Sequence, residues 1–101
     1  MVVQLRRYEL AEGSIDAFVE RWRDIVAVRE RFGFRVLFAF ADREANEFVW
    51  AVAHDGDFAA AEKPYSTSED RAAVVADLLP HLVASHVTFV DPVHGLAGLC
   101  G

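Results

Sequence analysis

The stretch Phe34–His54, FRVLFAFADREANEFVWAVAH, constrains the fold of this chain more than any other. It reads as two strands joined by a polar turn at 42–46, with apolar residues on both faces of both strands. On the first strand Phe34, Val36, Phe38 and Phe40 alternate with Leu37, Ala39 and Ala41. On the second, Phe48, Trp50, Val52 and His54 alternate with Val49, Ala51 and Ala53. A sheet with one wet side alternates apolar with polar side chains, so this hairpin is expected to be covered on both faces. The chain's own helices can supply one cover, and the other has to come from elsewhere.

The flanking segments supply those helices and two more strands. Residues 2–10 alternate, with Val3, Leu5 and Arg7 set against Val2, Gln4, Arg6 and Tyr8, which predicts a first strand ending at Glu12-Gly13. Ser14 is placed as a helix N-cap with Asp16 in the first turn, where a negative charge suits the helix dipole. Ile15, Phe18, Val19, Trp22, Ile25, Val26 and Phe32 then follow helical spacing. That predicts a helix over 15–32, stopped by Gly33 in a left-handed conformation. After the hairpin, residues 58–63 are expected to be briefly helical and Pro64 to interrupt them. Ser66 and Glu69 make a capping box for a second main helix over 67–79, with Val75, Leu78, Leu79 and Leu82 as its stripe. Residues 85–91 form the last strand, Val87 and Phe89 alternating with His86, Thr88 and Val90. Residues 1–93 are expected to make one domain, and 94–101 an irregular, glycine-rich tail.

The order is β-α-β-β-α-β, the ferredoxin-like α+β arrangement of a four-stranded antiparallel sheet with its helices on one side. No remaining element can cover the second sheet face, and an exposed apolar face of that size is a liability. A twofold homodimer with two sheets packed face to face removes it. Composition agrees. Of 101 residues 53% are hydrophobic, above the roughly 45–50% of soluble domains, and the mean hydropathy is +0.17. No apolar run reaches the roughly 18 residues of a membrane span, so the excess points to an oligomer interface, a ligand cavity, or both. The opening MVVQLRRYEL lacks the plan of a signal peptide. Sixteen acidic against ten basic residues, a formal charge of −6, argue against nucleic acid and anionic membrane surfaces as partners. The one cysteine, Cys100, has no disulfide partner within the chain, so a reducing cytoplasm is the expected compartment.

The segments QLRRYEL, AEGSIDAFVERW, VRERFGFRVLFAF, NEFVWAVAHD and YSTSEDRAAV, in that order over residues 3–91, resemble the NIPSNAP-like branch of the dimeric α+β barrel superfamily. Arg6 and Tyr8 match its Arg-x-Tyr strand, and Gly13 its helix-leading glycine. The resemblance implies a homodimer with a pocket in each subunit, between sheet and helices. The wider superfamily includes cofactor-free monooxygenases, polyketide cyclases and haem-binding enzymes. A shared fold does not by itself transfer chemistry.

Candidate site residues follow from chemistry and position. Histidine is the commonest general acid or base, which makes His54 at a strand end and His86 at the start of the last strand candidates for that role. Either also serves as an ordinary turn or strand-edge histidine. Tyr65, beside the helix break at Pro64, is the third catalytic candidate. Trp50 and Trp22 can line a site for a flat aromatic ligand, and equally can be core. Arg6, with Tyr8 on the same strand face, can hold a carboxylate or enolate, or pair with Glu47. The histidines lack the spacing of a zinc site, so no metal is expected. No cofactor is required, although ligation of haem by one histidine is not excluded by the pattern. The expected ligand is a hydrophobic, polyketide-like small molecule, for oxidation or cyclisation without a cofactor or for binding alone. Which sheet face is pocket and which is interface stays open, because alternation alone does not orient the hairpin.

Overall fold

The computed structural model describes residues 1–95. The elements are β1 Val2–Leu10, α1 Ile15–Arg31, β2 Arg35–Asp42, β3 Glu47–His54, α2 Phe58–Ser66, α3 Glu69–Leu78 and β4 Leu82–Val90. The four strands form one antiparallel sheet in the order β2-β3-β1-β4 and carry helices on one face. This is the ferredoxin-like arrangement expected, with the second crossover split into two helices. The tail expectation falls largely on 96–101, Cys100 included, outside the described residues.

The main core lies between sheet and helices. From α1 come Ile15, Phe18, Trp22 and Ile25; from β1 Tyr8 and Leu10; from β3 Phe48, Trp50 and Val52. Edge-to-face aromatic pairs run through it, Phe18 on Phe48 at 5.3 Å and Trp22 on Phe48 at 4.9 Å. Phe48, Trp50 and Val52 thus face the helices, while Ala51 and Ala53 pack with Val3 on the opposite, open face. The hairpin is thereby oriented: the Trp50 face backs the interior.

The alternation expected for β2 breaks at one point. Val36 pairs with Val52, but Phe38 pairs with Ala51, so one extra residue is accommodated between them. A bulge of this kind exchanges the faces of everything after it. Phe34 and Val36 remain on the helix side with Ala39, whereas Phe38 joins Val3, Leu5 and Leu37 on the open face. Phe40 lies beside Phe38, ring centroids 5.2 Å apart, and is 65% exposed. The open face is also less uniformly apolar than expected. Arg7 pairs across the sheet with His86 and Val49, and Glu9 lies opposite Glu47, so one end of the face is charged.

Several local expectations are corrected. Pro64 does not end α2, which runs on to Ser66 with Phe58 and Tyr65, seven residues apart, buried on one side. That burial outweighs the backbone bond lost at a proline near the helix end. The cap of α3 is Ser68 rather than Ser66, its hydroxyl accepting from the Arg71 N–H at 3.2 Å, because Ser66 still belongs to α2. Leu79 leaves the apolar stripe for an exposed 3₁₀ turn with Pro80 and His81, and β4 begins at Leu82, three residues early. Ser14 sits at the start of α1, but its hydroxyl makes no capping bond and lies 2.8 Å from His81 Nδ1 instead.

Gly33 ends α1 as expected, at φ +86°. A Cβ there would also sit 3.3 Å from His54 Nε2. Gly33→Ala is therefore expected to cost about 1–2 kcal/mol, the left-handed strain forming the larger share. Urea unfolding checks it: the loss should shrink but persist in a His54→Ala background, and disappearance there would assign it all to the contact.

Candidate functional site

A cavity of about 230 Å³ opens between the sheet and the helices. Its walls come from β1 (Arg6, Tyr8), α1 (Phe18, Trp22, Ile25, Arg29), β3 (Trp50), the α2–α3 crossover (Glu62, Tyr65, Arg71, Val75, Leu78) and the chain entering β4. The physical reason for its shape is the two-residue alternation of β1 and β3, which sets Arg6 directly opposite Trp50. The i, i+4, i+7 spacing of α1 does the rest, stacking Phe18, Trp22, Ile25 and Arg29 along one stripe.

Arg6 does not reach Glu47. Its Nε donates to the Tyr8 hydroxyl at 2.8 Å and its Nη1 to Gln4 Oε1 at 2.7 Å. The same side chain covers the Trp50 ring at 5.5 Å. Glu47 is approached by Arg7 instead, 3.9 Å away, because Arg6 and Arg7 point to opposite faces of one strand.

Arg29 is the residue that sequence reasoning missed. Only 2% of it is exposed. Its guanidinium lies 3.8 Å from the Tyr65 ring, 4.7 Å from Phe34 and 5.6 Å from Trp50. Nη1 donates to Glu62 Oε2 at 2.6 Å. The signal was present: Arg29 occupies the next position on the stripe Phe18, Trp22, Ile25, where the spacing calls for an apolar side chain. Arg71 approaches Tyr65 from another side, 5.7 Å from its ring. Three guanidinium groups and one carboxylate thus border the cavity of a chain whose formal charge is −6.

Three buried donors find no acceptor among the described residues: Trp22 Nε1, Trp50 Nε1 and Arg29 Nε. All belong to cavity-lining side chains. An unanswered buried donor costs about 1–3 kcal/mol, so their concentration here needs an explanation. Burial pushes the Tyr65 phenol above its ordinary range, against the opposing pull of Arg29. The unfolded chain then ionises this tyrosine at lower pH than the folded one. The associated stability is present below about pH 10 and is lost as pH rises through the folded value. Absorbance at alkaline pH should show Tyr65 ionising after free tyrosine, and Tyr65→Phe should remove that late step.

The structure therefore brings Arg6, Tyr8, Trp22, Trp50 and Tyr65 together at one cavity. It does not bring His54 or His86 there. His54 shares the Trp50 face but packs on Phe34 at 5.2 Å and accepts from the Gly56 N–H through Nδ1 at 2.9 Å. His86 is on the open face, 3.1 Å from Glu9, in a shallow depression with Leu5, Arg7, Glu47 and Thr88. No histidine among the described residues borders the cavity, and no group of side chains among them is arranged to hold a metal ion. No described helix is long and apolar enough to cross a membrane.

A ferredoxin-like α+β sheet with an internal cavity beneath its helices defines the class. Within it, this is the fold of the NIPSNAP structures. An uncharacterised NIPSNAP domain protein from Burkholderia xenovorans superposes with a TM-score of 0.80 at 20% identity, over 91% of this chain and 94% of that one. A NIPSNAP family protein of unknown function from Agrobacterium tumefaciens gives 0.83 at 15% identity, over 98% and 93%. A putative antibiotic biosynthesis monooxygenase from Bacteroides thetaiotaomicron gives 0.76 at 18% identity, over 92% and 90%. No family model matches the chain, and no curated protein matches it. At these identities the likeness concerns the fold.

Proposed function

We propose that this chain is a homodimeric small-molecule-binding protein whose cavity holds a hydrophobic or aromatic metabolite. The observation that carries the reading is the cavity itself, which the core side chains Trp22, Trp50, Tyr8 and Tyr65 line together with guanidinium groups. Flat rings suit aromatic walls, and a few polar groups among them fix orientation. The fold shared with a putative antibiotic biosynthesis monooxygenase supports an enzymatic form, cofactor-independent oxidation or cyclisation of a phenolic compound. With His54 and His86 away from the cavity, no histidine there receives the phenol's proton, which passes to solvent, and the guanidinium groups stabilise the phenolate left behind. Cations close to a bound phenol favour its ionised form and so lower its pKa. Tyr65, held protonated, supplies a hydrogen-bond donor. The dimer reading rests on the open face, where Leu5, Leu37 and Phe38 are only partly buried and Phe40 is exposed.

Titrating the protein with 1-naphthol and larger phenols, followed by tryptophan fluorescence, tests the binding reading. Saturable quenching that weakens in Trp50→Ala is the expected result; the absence of saturation with every compound overturns it. An oxygen electrode then separates the forms: dioxygen uptake with a bound phenol favours the enzyme, and binding without turnover favours an accessory protein.

A further inference from the structure

We infer that the cavity selects an anion: its ligand is a one- or two-ring carboxylic acid, bound through the carboxylate. The inference rests on the binding reading above and specifies the ligand's chemistry. Each oxygen of a carboxylate only accepts hydrogen bonds, and it accepts several. The cavity wall is built the other way. Arg29 Nε, Trp22 Nε1 and Trp50 Nε1 are buried donors without acceptors among the described residues. The carboxylate that borders the space, Glu62, is already engaged by Arg29 Nη1 at 2.6 Å. Arg6 and Arg29 lie over the same indole ring, that of Trp50, at 5.5 and 5.6 Å, so two cations gather at a side chain whose N–H is one of the orphaned donors. A neutral ligand with an N–H or O–H would add donors to a wall already short of acceptors. An anion answers the donors and the charge together.

Size and the remaining wall narrow the class. Ile25, Val75 and Leu78 make part of the lining aliphatic, which suits a hydrocarbon body. At about 230 Å³ the space is smaller than the roughly 300–1,000 Å³ of sites for drug-sized ligands. One or two fused rings match it better than the extended ring systems of a polyketide.

The test compares 2-naphthoate with 2-naphthamide, which share a ring system and differ in charge, by calorimetry on the full chain. Hydrogen bonds to charged groups are strong enough that 2-naphthoate is expected to bind at least about tenfold more tightly. Arg6→Gln should lower naphthoate affinity about tenfold and naphthamide affinity by clearly less. Trp50→Phe, which keeps a ring but removes the N–H, should act in the same sense. Arg7→Gln on the open face should alter neither. Equal or tighter binding of naphthamide overturns the anion inference while leaving the binding reading in place. If neither compound binds and 1-naphthol does not either, both fall. Naphthoate binding that responds to Arg7→Gln but not to Arg6→Gln places the anion outside this cavity and also overturns the inference.

Discussion

Replacing Arg29 with alanine is expected to destabilise the fold by about 3–4 kcal/mol and to lower the melting temperature by more than about 10 °C. Three losses combine. The long side chain fills core space, being 2% exposed. Its guanidinium is stacked on Tyr65 at 3.8 Å and on Phe34 at 4.7 Å, a desolvated cation–π arrangement that contributes more than an exposed one. Its ion pair with Glu62 also goes. The last loss is the mildest, since Glu62 keeps 32% of its side chain exposed and stays hydrated when its partner is removed. Arg29→Met should recover part of the packing and about half of the stability, isolating the aromatic cage and the charge. Arg29→Lys should not rescue, because an ammonium cannot stack as a planar guanidinium does. Urea unfolding measures all three. A loss below about 1 kcal/mol for Arg29→Ala would show that the buried guanidinium contributes nothing net to the fold.

If the proposed dimer forms through the open face, Phe40→Glu is expected to leave it monomeric at micromolar concentration, weakening association more than about a hundredfold. In a twofold interface the substitution counts twice, placing two carboxylates against the partner sheet. Folding of the single chain should change by less than about 0.5 kcal/mol, because Phe40 is 65% exposed without a partner. Sedimentation equilibrium distinguishes the outcomes. Wild-type protein sedimenting as an 11.2 kDa monomer removes the dimer from the reading. A Phe40→Glu protein that remains dimeric moves the interface off the open face.

The elements that were legible in the sequence share one property: a local rule and the tertiary environment asked for the same residue. Gly33 was readable because a left-handed helix end disfavours a side chain, and the close approach of His54 acts in the same direction. That Phe48, Trp50 and Val52 share one face was readable because strand alternation survives in β3 without interruption. The bulge in β2 was not. Val36, Leu37 and Phe38 are all apolar, so the pattern is the same whether the register shifts or not. The cap of α3 was misplaced for a similar reason, since Ser66, Thr67 and Ser68 are all competent caps. Only the length of α2 selects among them, and that is decided by the burial of Tyr65.

At the site, Trp22, Trp50, Tyr65, Arg6 and Tyr8 could each be named from residue type and position. Arg29 could have been named as well, as the one cation on the apolar stripe of α1. The histidines were the weakest part. His54 and His86 were chosen for their titration range, a property of the residue alone. Whether such a group can act depends on what space it borders, and sequence spacing does not report that.

The sequence by itself determined the layers of this protein: a doubly apolar hairpin, two flanking strands and a helix whose stripe must meet one sheet face. Those follow from periodicity, because burial of one face and a repeat of two or 3.6 residues leave few alternatives. Only the tertiary structure decided which face of the hairpin backs a cavity. It also decided that the cavity wall carries buried cations and unanswered donors. Residues such as Arg6, Arg29, Trp50 and Arg71 are far apart along the chain, and their common environment exists only once β1, α1, β3 and α3 are packed together.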